Sequence, residues 1–172
     1  VVLHKGVIKL NYELLCKRTL GVIMHLSAGN MLSPQIDRKV LVGSVEEAIA
    51  LGCDGVSIHV NIGNEYDTEM IKDFAEVSRK CNELGMPLLA MMYARGNQIE
   101  DPYSVDNVKL VARFAQELGA DIVKVNYTGN VEEFKEVTEG CQIPVVVAGG
   151  ELYQRKGYFQ ILMEHFWQVQ KV

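Results

Sequence analysis

Short apolar runs alternate with longer amphipathic stretches from Val1 to Gly150, and each apolar run has the length of a strand rather than of a helix. The pattern predicts strands over Val1–His4, Gly21–Leu26, Gly55–Val60, Pro87–Tyr93, Ile122–Tyr127 and Pro144–Ala148, with helical stretches between them. Ser44 opens one helix with Glu47 three residues on, the reciprocal capping arrangement that satisfies otherwise orphan backbone amides. A long helix from about Glu65 to Leu84 ends at Gly85, with Pro87 beyond, and Val105 to Leu118 repeats the pattern and stops at Gly119. Glycine suits such ends because it enters the left-handed conformation that other residues resist. Strands joined by helices run parallel, since each helix carries the chain back across the sheet.

Strands of a parallel sheet covered on both faces read as nearly uniform Val, Ile and Leu. Here polar residues recur on one parity. His25 and Ser27 alternate with Met24 and Leu26; Ser57, His59 and Asn61 with Val56, Ile58 and Val60; Lys124 and Asn126 with Val123 and Val125. Period two puts each polar set on a single face. An open doubly wound sheet has helices on both faces and no comfortable place for them. In a barrel one face points inward, and polar groups gather at its carboxyl end, where barrel enzymes keep their active sites. A half-solvated antiparallel sheet is the competing account, and the intervening helices count against it.

The expected fold class is therefore α/β, a TIM (β/α)8 barrel. Six strand–helix units are visible where a whole barrel has eight and about 250 residues, so the barrel is expected to be incomplete. After Gly150 the flavour changes, and Phe159, Leu162, Met163 and Phe166 have the spacing of one covering helix. Residues 1–150 thus read as a partial barrel and 151–172 as a divergent tail with one helix.

The composition, 172 residues with 48% apolar and 23% charged, fits one domain with one core. A formal net charge of -5 and a pI near 5.4 argue against nucleic acid or an anionic membrane as partner, because either asks for a basic face. A phosphorylated substrate then needs local cations. No apolar run reaches the roughly 18 residues of a membrane span, and no signal segment opens the chain, so a cytoplasmic protein is expected. Cys16, Cys53, Cys81 and Cys141 are far apart, without a C-x-x-C pair, and read as reduced structural thiols rather than a zinc knot or disulfide framework.

Lys124 carries the sharpest chemistry: it is an ammonium inside a strand, expected to be buried. Removal from water favours the neutral amine, the nucleophile that attacks a carbonyl. An ion pair with a carboxylate on a neighbouring strand is the equal alternative from spacing. Tyr93 ends the preceding strand, so its phenol is placed to shuttle a proton, or else packs on a rim loop. Arg95 suits a phosphate or carboxylate, or is a solvated loop charge. Gly149 and Gly150 end the last strand, where free amides suit a phosphate and a plain turn competes. His25 and His59 read as hydrogen-bonded interior histidines; as paired metal ligands they would make a metal-dependent lyase instead.

Taken in order, His4-Lys5-Gly6, His25-Leu-Ser-Ala-Gly, Ser57-Ile-His-Val-Asn, Met91-Met-Tyr-Ala-Arg-Gly, Asp121-Ile-Val-Lys-Val-Asn-Tyr-Thr-Gly and Val145-Val-Val-Ala-Gly-Gly resemble the archaeal-type class I fructose-bisphosphate aldolase family. That family includes 2-amino-3,7-dideoxy-D-threo-hept-6-ulosonate synthase. The resemblance spans residues 1–150. It implies that Lys124 is the Schiff-base lysine and Tyr93 the proton donor, with Tyr93, Arg95, Lys124, Gly149 and Gly150 touching a sugar phosphate. It further implies no metal, no cofactor and a homo-oligomer. The strands would be the second to the seventh of the barrel. The family's first strand, with its Asp-His-Gly motif, is expected before Val1, and its last, with a Gly-Arg pair, beyond the tail; no residue here matches either.

The leading expectation is a fructose-bisphosphate aldolase-like lyase or transaldolase. The alternatives are a 2-amino-3,7-dideoxy-D-threo-hept-6-ulosonate synthase-type transaldolase of aromatic amino acid biosynthesis, or an inactive barrel fragment. Met91 leans toward the synthases, which resemble this chain in Met-Met-Tyr where several fructose-bisphosphate aldolases carry tryptophan.

Overall fold

The structure, a computed structural model, describes residues 1–17 and 19–148. Gly149, Gly150 and the expected tail helix lie outside the described residues.

Six short strands form one parallel sheet: β1 (Val2–Leu3), β2 (Ile23–His25), β5 (Gly55–Ile62), β6 (Leu88–Ala94), β7 (Ile122–Val125) and β8 (Val145–Val147), neighbours in that order. Each new strand adds to the same edge, with none of the order reversal that marks a doubly wound sheet. That is the winding of a barrel wall.

The helices are α1 (Lys5–Leu10), α2 (Tyr12–Cys16), α3 (Val45–Ala50), α4 (Asp67–Leu84), α5 (Val105–Glu117) and α6 (Val131–Glu139). They pack on one face of the sheet. Met24, Val56, Ile58, Val60, Leu88, Ala90, Met92, Val123 and Val125 meet Phe74, Val77, Val108 and Val111 in a single core. Every strand residue in that set has the parity opposite to the polar one, so the alternation in the sequence corresponds to a helix-covered face and an inner face.

The helix signals are realised closely. Ser44 caps α3, accepting from the Glu47 amide at 3.2 Å while the Glu47 carboxylate accepts from the Ser44 amide at 3.2 Å. Gly85 ends α4 at φ 66°, a left-handed position that favours glycine.

Two readings need correction. The chain leaves the sheet after His25, and a separate antiparallel hairpin forms from β3 (Ser27–Ala28) and β4 (Val40–Leu41); two-residue strands are too short to leave an alternation signal. Ser27 therefore belongs to the hairpin rather than the main sheet. Cys16 is exposed, unlike the buried Cys81 and Cys141, so it is not a core thiol. Among the described residues no helix is long and apolar enough to cross a membrane.

Candidate active site

The inner face carries the polar set in register. One row across the strands is His25, Ser57, Leu89 and Ile122; the next is His59, Met91, Lys124 and Val146; the third pairs Asn61 with Tyr93. Lys124 and Tyr93 thus stand on adjacent strands, on one face, one row apart. Strand spacing and rise put their Cα atoms about 8 Å apart, and both side chains project from the same side.

Tyr93 is 6% exposed. Its ring meets His59 edge-on, centroids 5.0 Å apart, and the Arg95 guanidinium lies over it at 4.9 Å. Burial raises the phenol pKa and the nearby Arg95 charge partly offsets this, so Tyr93 holds its proton at neutral pH. Tyr93 is the penultimate residue of β6, so its ring packs both on the neighbouring strand, through His59, and under Arg95 of the loop that follows.

Lys124 is half-buried, not enclosed as expected. Depth along the inner face is uneven: Ser57 and Asn61 are fully buried and Tyr93 nearly so, while Lys124 keeps contact with solvent. Among the described residues Lys124 makes no ion pair within 4.0 Å, and the neighbouring-strand positions in register with it are Met91 and Val146, neither a carboxylate. The ion-pair alternative is thus not realised there.

Both inner histidines are engaged by hydrogen bonds. His25 Nδ1 is 2.8 Å from Ser57 Oγ, and His59 Nε2 is 2.8 Å from Asn61 Oδ1. Burial lowers each ring's pKa to about 4; His4 and then Lys124 add to the effect at His25, and Lys39 and Arg95 at His59. Lys124 therefore lies close enough to His25 to oppose its protonation. Both rings are neutral at pH 7.

Two features escaped the sequence reading. Asn61, 0% exposed, donates through Nδ2 to the Asp37 carbonyl at 2.7 Å and so ties the loop between β3 and β4 down onto the inner face. Asn64 donates to the Asn61 carbonyl at 2.9 Å and the Arg95 carbonyl at 3.0 Å, fastening the carboxyl ends of β5 and β6 together and fixing the backbone at Arg95. Loop partners some 24 and 31 residues away in sequence leave no periodic trace.

Known proteins share this arrangement of sequence and fold. A family profile described as DeoC/LacD family aldolase matches residues 1–161. The chain is 48% identical over 150 residues to 2-amino-3,7-dideoxy-D-threo-hept-6-ulosonate synthase 1 of Archaeoglobus fulgidus, covering 87% of this chain and 55% of the relative. It is 43% identical over 150 residues to the 2-amino-4,5-dihydroxy-6-oxo-7-(phosphonooxy)heptanoate synthase of Streptomyces griseus, covering 87% and 54%. A solved Schiff-base-forming fructose-1,6-bisphosphate aldolase superposes with a TM-score of 0.87 at 27% identity, over 95% of this chain and 64% of that one. The chain spans about half the length of the curated relatives it matches.

Proposed function

The chain belongs to the DeoC/LacD aldolase family, and on that premise we propose that it supplies the lysine-bearing wall of a class I, Schiff-base aldolase or transaldolase acting on sugar phosphates. The observation that carries the reading is the placement of Lys124 and Tyr93 on one inner face, one register row apart.

In this reading the Lys124 amine attacks the carbonyl of a keto-sugar phosphate, and the carbonyl oxygen leaves as water to give an iminium. The iminium draws in the electron pair of the bond between its α and β carbons as that bond breaks; the hydroxyl on the β carbon gives up its proton, an aldehyde departs and an enamine remains on Lys124. A transaldolase then lets the enamine carbon attack a second aldehyde, whose oxygen takes a proton, before water releases the product from Lys124. Tyr93, holding its proton in a buried position, serves as the group that gives and recovers it. Arg95 fixes an anionic substituent, and Gly149 and Gly150 contribute backbone amides to a phosphate.

The relatives' names are those of synthases, which supports the synthase-type transaldolase better than the fructose-bisphosphate aldolase that the motifs alone put first. Within the fold, the six parallel strands are the second to the seventh of an eight-stranded barrel. Residues 1–150 supply that part of the barrel; the whole protein is a cytoplasmic homo-oligomer.

Borohydride reduction in the presence of dihydroxyacetone phosphate or fructose 1,6-bisphosphate, followed by intact-mass and peptide mapping, tests the chemistry. A stable adduct mapped to Lys124 is expected. Absence of the adduct both in this chain and in a version extended at both ends would sink the Schiff-base reading.

A further inference from the structure

We infer that Lys39, on the loop between β3 and β4, is a specificity residue that joins Arg95 in a two-cation clamp for the anionic group of the acceptor aldehyde. The inference rests on the Schiff-base reading above, which supplies the acceptor.

Register and a hydrogen bond set both cations at the adjoining carboxyl ends of β5 and β6. Asn61 holds the Asp37 carbonyl at 2.7 Å, and Asn61 stands in register with Tyr93; Lys39 follows Asp37 by two residues as Arg95 follows Tyr93. The Lys39 side chain then folds back over Gly29, where a Cβ would lie 2.9 Å from both Cδ and Nζ. Glycine at 29 is what leaves the ammonium room to lie there. Among the described residues Lys39 Nζ donates to the Ile36 carbonyl at 2.8 Å, which leaves two of its three donors unused there. The Arg95 guanidinium lies over the Tyr93 ring at 4.9 Å and is exposed, so its donors are accessible to a ligand.

The charges around the pair point the same way. Burial and then the Arg95 charge work against the Lys39 ammonium, with Asp37 partly offsetting them, and both cations oppose protonation of His59. Among the described residues neither Lys39 nor Arg95 makes an ion pair within 4.0 Å. Two cations that repel one another without a bridging carboxylate are stabilised by an anion placed between them. A phosphate or carboxylate at the far end of an aldehyde would fill that place, with its carbonyl directed toward the Lys124 row.

Lys39→Met and Lys39→Arg test the clamp against the unmodified chain. In 15N-labelled protein titrated with inorganic phosphate, the Arg95 Nε–H resonance is expected to shift saturably, with half-saturation raised about tenfold in Lys39→Met and largely restored in Lys39→Arg. A parallel titration with acetate tells a phosphate clamp from a carboxylate clamp. In the aldol direction with dihydroxyacetone phosphate as donor, the KM for glyceraldehyde 3-phosphate relative to glyceraldehyde is expected to rise by the same factor in Lys39→Met. Equal phosphate binding by the unmodified chain and Lys39→Met overturns the clamp. Failure to trap an adduct on Lys124 overturns the aldolase reading instead, and the phosphate titration still decides whether the cations act together.

Discussion

His59 Nε2 lies 2.8 Å from Asn61 Oδ1, and because the Asn61 amide nitrogen is already donating to the Asp37 carbonyl, the ring nitrogen must be the donor. That fixes the neutral tautomer with the proton on Nε2. Burial holds both His59 and His25 near a pKa of about 4, against 6.5 for an unperturbed histidine.

The sign of the pH dependence follows. Between about pH 4 and 6.5 the unfolded chain binds protons that the folded chain refuses, so stability is full above that window and falls as pH drops through it. Each ring contributes no more than about 3 kcal/mol, and less because both keep some contact with solvent. Urea unfolding at pH 7 and pH 5 is expected to show a loss that shrinks when His59→Gln or His25→Gln removes one titrating ring. A variant with the same pH dependence as the parent would contradict it.

Tyr93→Phe removes the phenol oxygen and keeps the ring that His59 and Arg95 pack against. Imine formation needs the Lys124 amine, so borohydride trapping is expected to survive. Carbon–carbon cleavage must take the proton from the hydroxyl and bond formation must give it back, so turnover is expected to fall by about 10²–10⁴-fold. Trapping assays beside steady-state kinetics separate the two; unchanged turnover would remove Tyr93 from the chemistry.

Much of this was readable in the chain because strands and helices impose periods. The alternation of Ser57, His59 and Asn61 with Val56, Ile58 and Val60 marked two faces before any coordinates, and the capping pair Ser44 and Glu47 marked a helix start. The period did not reveal how deeply Lys124 lies, since burial depends on what covers the inner face. Nor did it reveal the β3–β4 hairpin or Lys39, whose position is set by one long-range bond from Asn61 to a backbone carbonyl. Backbone-directed contacts carry no signature in the identity of the residue they reach.

Asn61→Leu tests that bond. The substitution leaves the Asp37 carbonyl and the His59 Nε2 proton, both part-buried, without their partners, at a cost of up to about 1–3 kcal/mol for each such group. The midpoint of urea unfolding is expected to drop accordingly. Hydrogen exchange is expected to rise in residues 29–39 more than in α4, because the loop loses its tie to the sheet while the core does not. Uniform acceleration across the chain would mean that Asn61 acts only through global stability.

The last expectation concerns Gly96, next to Arg95. Its φ is +143°, a region that side chains rarely adopt, and a Cβ there would collide with the Gly63 carbonyl and Asn64 Cβ. Gly63 itself sits at φ +102°, so at the carboxyl ends of β5 and β6 two backbones pass where neither has room for a side chain. Gly96→Ala is therefore expected to destabilise by both backbone strain and collision, roughly 2–4 kcal/mol together. Gly52 provides the control: it has φ +66° with nothing within 4 Å of a Cβ, so Gly52→Ala carries only the conformational cost of about 1 kcal/mol. The difference between the two urea midpoints isolates the steric part. Because the crowded atoms belong to the segment that Asn64 fastens to the Arg95 carbonyl, Gly96→Ala is also expected to weaken phosphate binding at Arg95, which Gly52→Ala leaves alone. Equal destabilisation by both variants would show that the backbones separate there without strain on the site.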